Sequence, residues 1–208
     1  MRISKDAQER RNEILDVAEK LFLEKGFENT STVDIATTTN IAKGTLYYHF
    51  KSKNEVMNAI IERRVFQVIN DLSEIAKDKS IHFLKRIVMV FKKVKFSGIN
   101  NNQNLKYLHD VENNLMHHKM QNAMVEAFIP ILIKLCEEGK EEGIIHCLYL
   151  PQSIEMLLVY GNLIFDYNRL NHMSTDEITE NINAFIHHIE LLLGTPPGTF
   201  SIIKEIFC

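Results

Sequence analysis

The 208-residue chain has little of what loosens or staples a fold: eight glycines, four prolines and three cysteines. So few breakers exclude a low-complexity body or a long flexible linker. The cysteines, Cys136, Cys147 and Cys208, are odd in number and show no CxxC spacing. They read as free thiols of a cytoplasmic protein, not as a disulfide framework. No apolar run approaches the roughly 18 residues that a membrane-spanning helix needs, and no signal-peptide pattern opens the chain. A protein without membrane contact is therefore expected.

Catalytic signatures are missing as well. The chain has no GxGxxG, P-loop, GxSxG or HExxH pattern, and no nucleophile stands at a recognisable spacing from a base. Nine histidines invite a metal reading, but the neighbours His117-His118 and His187-His188 would point about 100° apart on a helix and cannot chelate one ion unaided. The expectation is a protein that is not an enzyme and holds no metal or cofactor.

Strong positive charge is absent too, since the net charge is −3. Its distribution is uneven. Residues 1–64 carry 11 Lys or Arg against 10 Asp or Glu, whereas residues 65–208 carry 13 against 17. A nucleic-acid surface would thus depend on local cations such as Arg10, Arg11, Lys43, Lys51 and Lys53.

What is present is helical periodicity throughout, in a chain whose 45% hydrophobic content can bury one large or two small cores. Ile14, Ala18, Leu21 and Phe22 form the stripe of a first helix that Gly26 should end in a left-handed cap. Ser31-Thr32-Val33-Asp34 opens a short second helix, a turn falls near Asn40, and a third helix carries Lys43 to Phe50. Ser52 and Glu55 then form a capping box for a long fourth helix over about 53–76. Further helices are expected from Ser80, from Leu105 to about Glu142 in two segments divided by Pro130, from Pro151 to about Leu170, and from Thr175 to Leu193 behind a Ser174/Glu177 capping box. Asn100–Asn104 reads as a surface loop or helix start, Lys92, Lys93 and Lys95 as a solvated face, and the apolar tail from Ser201 as a docking segment.

Two short helices joined by a tight turn make a helix-turn-helix. On the third helix Leu46 and Phe50 share one face, leaving Lys43, Gly44, Tyr47 and Tyr48 to others. A cation, hydroxyls and phenols beside a side-chain-free glycine suit a major groove and its phosphates. The same spacing also fits a short amphipathic helix with solvated tyrosines, and periodicity alone does not choose.

From about Arg11 to Ile61 the chain resembles the DNA-binding domain of the TetR family of bacterial repressors. The likeness rests on Lys25-Gly26-Phe27, Thr30-Ser31, Asp34-Ile35-Ala36 and the run Lys43-Gly44-Thr45-Leu46-Tyr47-Tyr48-His49-Phe50-Lys51-Ser52-Lys53. It implies that Lys43, Gly44, Thr45, Tyr47, Tyr48 and His49 lie at DNA, with Thr32 and Lys53 on phosphates. The chain departs from the family at the turn, where Thr39-Asn40-Ile41-Ala42 replaces the usual Ala-Gly-Val-Ser. Asn40 can supply the left-handed conformation, but Ala42 lacks the capping hydroxyl, a loss of about 1 kcal/mol.

The expected architecture is all-α: a helix-turn-helix DNA-binding domain over 1–51, joined by the long fourth helix to a ligand-binding and dimerisation domain over 52–208. Met116, Met120 and Met124 recur at helical spacing, and with Met89 and the polar Tyr107, Asp110 and Tyr160 they are candidates for an effector pocket, although the same methionines could fill an ordinary core. Leu157, Leu158, Gly161 and Phe165, with Ile178, Ile182, Phe185, Ile189 and Leu192, are the expected homodimer stripes. The function expected is a ligand-responsive regulator, a repressor by resemblance, that binds operator DNA as a homodimer and is released by an apolar or amphipathic small molecule. The alternative is a small-molecule binding or protein-interaction module that no longer reads DNA.

Overall fold

The computed structural model describes residues 7–96, 114–165 and 167–207. In chain order the described elements are α1 (Ala7–Lys25), α2 (Thr32–Thr38), α3 (Lys43–His49), α4 (Lys53–Lys77), α5 (Phe83–Phe96), α6 (Asn114–Glu141), α7 (Leu150–Ile164), the short α8 (Tyr167–Leu170), α9 (Thr175–Leu193) and a closing 3-10 helix (Ser201–Ile206). The fold is all-α, and the described residues include no strand. The Asn100–Asn104 tract, the helix start at Leu105, Tyr107 and Asp110 lie outside the described residues.

The chain divides into two compact units, one of residues Met1–Gln67 with Gly98–Met124, the other of Val68–Ser97 with Val125–Cys208. In the first, α1 buries Ile14, Leu15, Ala18, Leu21 and Phe22 against Ile35 and Ala36 of α2, Leu46 of α3 and Phe50. Val56, Met57, Ala59, Ile60 and Ile61 of α4 belong to the same core. The boundary expected at 51 therefore falls short, because the first turns of α4 complete the helix-turn-helix core instead of leaving it. Met116 of α6 is also a member, with Met120 and Ala123 packed against it. Arg63 bridges Asp16 at 2.7 Å and Glu19 at 2.9 Å, and Lys119 reaches Asn58 at 3.0 Å.

Local signals end these helices much as their sequence suggests. Gly26 (φ 84°) closes α1 with its N–H on Phe22 O at 3.1 Å. Ser52 Oγ accepts the Glu55 N–H at 3.1 Å, but the Glu55 carboxylate takes the Lys51 N–H at 2.5 Å, one residue before the box expected at Ser52.

The second unit is built around Phe83, Ile87, Val88, Val90, Phe128, Leu132, Leu135, Ile145 and Phe200, all buried. Gly139 is required here, since a Cβ on it would stand 2.7 Å from the Phe83 ring. Arg86 and Glu190 are charged residues buried in this apolar interior, and Arg86 is the more enclosed. The Arg86 guanidinium donates to Ala76 O at 2.5 Å, near the end of α4, and pairs with the Glu138 carboxylate, whose pKa the pairing holds below the usual range. Cys136 and Cys147 are free and buried, and burial pushes the Cys136 thiol up to about 12, so it stays protonated and unreactive at neutral pH.

Several element boundaries differ from expectation for physical reasons. Pro130 does not divide α6, which runs through it; the ring removes one backbone donor, and packed Phe128, Ile131 and Leu132 on either side hold the helix together. Ser80 does not cap α5. It closes a turn on Asp78, with its N–H 3.1 Å from Oδ1, and His82 Nδ1 accepts the Leu84 N–H at 3.3 Å where the helix begins. The helix expected over 151–170 stops at Ile164, and the Phe165 ring packs 4.5 Å from Phe207 and 5.4 Å from Phe185. The tail docks as expected: Ile203 is buried, Glu205 bridges Lys92 at 3.1 Å and the Phe200 N–H donates to Glu190 at 2.9 Å.

Of the nine residues in the stripes expected to meet a second copy, two are buried within the chain and seven are half-buried. The buried two are Leu157 and Ile189, and Gly161 faces Phe185, which a Cβ would meet at 3.0 Å. The exposed apolar stripe of α7 is another one, Met156, Val159, Tyr160 and Leu163, and Leu191 is exposed on α9. Periodicity could not rank the two stripes, because α7 is apolar on most of its circumference.

Candidate nucleic-acid interface

The interface is built from two seven-residue helices. Ser31 caps α2 reciprocally: its Oγ accepts the Asp34 N–H at 3.1 Å, while the Asp34 carboxylate takes the Ser31 N–H at 2.8 Å. The Ser31 hydroxyl and then its backbone N–H hold the Asp34 carboxyl below the ordinary carboxylate range. Thr39 ends α2 with its hydroxyl on Ile35 O at 2.7 Å, and Asn40 takes a φ of 55°, the left-handed turn that the family's glycine ordinarily supplies. The Ile41 N–H then returns to Ala36 O at 2.9 Å.

Ala42 starts α3 with an extended backbone and no side-chain cap. Within α3 only Leu46 is buried, at 1% exposure, and Phe50 just beyond it is equally enclosed. The opposite surface carries Lys43, Gly44, Tyr47 and Tyr48, with Tyr48 at 74% exposure; Thr45 and His49 are half-buried. A Cβ on Gly44 would meet nothing within 4 Å. Among the described residues nothing calls for a glycine at this helical position.

Tyr47 is held from two sides. Its hydroxyl lies 3.3 Å from Thr32 Oγ1 at the start of α2, and the Lys43 ammonium sits 5.7 Å from its ring centroid. This fixes a phenol, a cation and a hydroxyl as one group. Lys51 Nζ reaches Tyr47 O at 3.4 Å. Tyr48 and His49 meet edge to face at 5.1 Å, and desolvation, followed by the charges of Arg11 and Arg10, lowers the His49 pKa, so at neutral pH the ring is an uncharged donor and acceptor. Arg11 stacks over the Phe50 ring at 4.6 Å, while Arg10 is paired with Glu13 at 2.7 Å.

The residues expected at DNA thus come together on one surface, with a single exception. Lys53 turns inward to the loop between α1 and α2, its Nζ 2.6 Å from Phe27 O. The described effector candidates lie on α5, α6 and α7. Met116 and Met120 pack on the core of the first unit, Met124 is buried, Met89 is half-buried on α5, and Tyr160 stands exposed on α7. The sequence reading overlooked Val33, 53% exposed beside the recognition surface, and the Arg11 stack on Phe50. An apolar residue on the polar side of α2 was the signal for the first.

This geometry defines a helix-turn-helix protein. Residues 14–60 match the model of the bacterial regulatory proteins of the tetR family, and residues 95–188 match that of the Tetracyclin repressor-like C-terminal domain. The chain belongs to the TetR family. An HTH-type transcriptional regulator of Staphylococcus aureus (strain USA300) is 42% identical over 74 residues, which span 36% of this chain and about 40% of the relative's length. A TetR/AcrR-family transcriptional regulator from Thermobifida fusca is similar over 92% of this chain and 98% of its own, with 26% identity and a TM-score of 0.59. FadR from Bacillus subtilis, solved with stearoyl-CoA, shares the fold over 88% of this chain and 97% of its own, at 22% identity and a TM-score of 0.59. No helix among the described residues is long and apolar enough to cross a membrane.

Proposed function

We propose that the chain is a ligand-responsive transcriptional repressor that binds operator DNA as a homodimer through α3. The observation that carries this reading is the two-sidedness of α3, which anchors Leu46 in the core and presents Lys43, Gly44, Tyr47 and Tyr48 outward, with open space over Gly44. Mobility shift against the DNA upstream of its own gene tests it, with retardation expected for the wild type and lost when Lys43 and Tyr47 are both replaced by alanine. Unchanged retardation by that double variant would sink the reading and favour a binding module that no longer reads DNA.

The homodimer reading rests on the exposed α7 stripe, Met156, Val159, Tyr160 and Leu163, with Leu191 of α9. A second copy supplies the same self-complementary patch and can bring two recognition helices about 34 Å apart, one DNA turn. Light scattering should give twice the chain mass, and Val159→Glu with Leu163→Glu should give a monomer. The effector reading follows the family and assigns an apolar or amphipathic small molecule to the helices of residues 52–208. An effector must distinguish the free from the DNA-bound protein by about 1 to 3 kcal/mol to shift DNA affinity by 5- to 150-fold. A compound that binds both forms equally is not the inducer.

A further inference from the structure

Lys53 stands at the start of α4, where the family resemblance implies a phosphate contact, yet its ammonium is already engaged. It donates to Phe27 O at 2.6 Å and Glu28 O at 3.3 Å, and lies 4.2 Å from the centroid of the Phe27 ring. An ammonium has three N–H donors. Two carbonyl oxygens and an aromatic ring therefore already surround the ammonium, and a phosphate would have to compete with interactions made within the chain. From these distances we infer that Lys53 is a positioning residue, which clamps the loop between α1 and α2 onto the head of α4 instead of binding DNA itself. The inference rests on the DNA-binding reading above.

The loop it clamps controls where α2 begins. Phe27 O also accepts the Thr30 N–H at 3.3 Å, and the buried Thr30 hydroxyl donates to Gly26 O at 2.8 Å. Phe27 is buried and packs edge to face on Phe22 at 5.1 Å, which anchors the ring under the ammonium. Ser31, the cap of α2, follows at once, and Thr32 next to it touches the Tyr47 hydroxyl at 3.3 Å. A side chain 26 residues away in sequence from Phe27 thereby sets the position of the α2 hydroxyl that orients the phenol of α3. Loss of the clamp lets α2 and its phosphate-facing hydroxyl drift, whereas loss of a direct phosphate partner would remove charge and nothing else.

Three measurements separate the two roles. Hydrogen exchange of the Lys53→Met variant, in the full chain and without DNA, should show the Thr30 and Ser31 amides exchanging on the order of tenfold faster, the scale expected when a charge-assisted bond to the backbone is removed. Lys53→Arg, which keeps cation and donors, should restore part of that protection. The second measurement needs no variant: in the wild-type chain a small amine-acetylating reagent should modify Lys53 more slowly than the exposed Lys43 and Lys51. The third uses a duplex that the wild type itself selects from a random pool. Lys53→Met should bind it more weakly with the salt dependence unchanged, because removing one cation that neutralises a phosphate lowers that slope by about 0.9. A slope reduced by about that amount overturns the inference, as do unchanged loop exchange or acetylation of Lys53 as fast as that of Lys43. If no duplex is selected at all, the DNA-binding reading fails, while exchange and acetylation still decide the clamp.

Discussion

Helices α2 and α3 are the same length and bury one side each, yet they are finished in opposite ways. Ser31 and Asp34 satisfy the first backbone donors of α2 from within, so that helix start is closed. Ala42 supplies no side-chain cap, so the start of α3 beside Lys43, Gly44 and the exposed phenols is closed only by backbone, the Thr45 N–H meeting Ala42 O at 2.9 Å. Unsatisfied donors at a helix start attract anions. The contrast teaches that two helices of equal length can be capped from within or left without a side-chain cap according to the one residue that precedes each.

Substituting the buried anchor of α3 should break the contrast most thoroughly. Leu46→Ala empties a site at 1% exposure and should cost about 2 to 5 kcal/mol. Chemical denaturation should show it, with DNA binding lost as a consequence of unfolding. Next in size, Lys43→Ala should leave the denaturation midpoint alone and weaken operator binding by about 1 to 3 kcal/mol if it meets a base, or reduce the salt slope by about one if it meets phosphate. Titration at two salt concentrations distinguishes these outcomes.

Ser31→Ala should cost about 1 kcal/mol of stability by opening the start of α2. It should also change the pH profile. Because the Asp34 carboxyl is held below its ordinary 3.8, its contribution is present above that pH and is lost as pH falls through the lower, folded-state value. Thermal melts between neutrality and strong acid should show a weaker acid destabilisation in the variant than in the wild type. Gly44→Ala sharpens the comparison with the smallest effect on folding. A methyl there meets nothing among the described residues, so helix propensity should raise stability by up to about 1 kcal/mol, while DNA affinity should fall. Affinity that stays level would show that no partner approaches Gly44 closely.

By itself the sequence determined the features whose physics is local. Helix stripes, the Ser31 and Ser174 caps, the left-handed Gly26 and Asn40 and the missing hydroxyl at Ala42 all depend on residues within a few positions of one another, and the structure shows each of them. The outward set on α3 was legible for the same reason, since Leu46 and Phe50 leave its other side uncommitted. Tertiary structure alone decided which of several apolar or charged residues met which partner. Methionines at helical spacing suit a pocket wall and a core equally, and only packing put Met116 among Ile14, Phe22 and Ile60. The apolar circumference of α7 gave no sign that Leu157 would face inward and Leu163 outward. Lys53 looked like a surface cation because its acceptors are backbone carbonyls 25 and 26 residues away. Every residue carries a carbonyl, so no sequence pattern marks the one that will lie within 3 Å of an ammonium once the chain has folded.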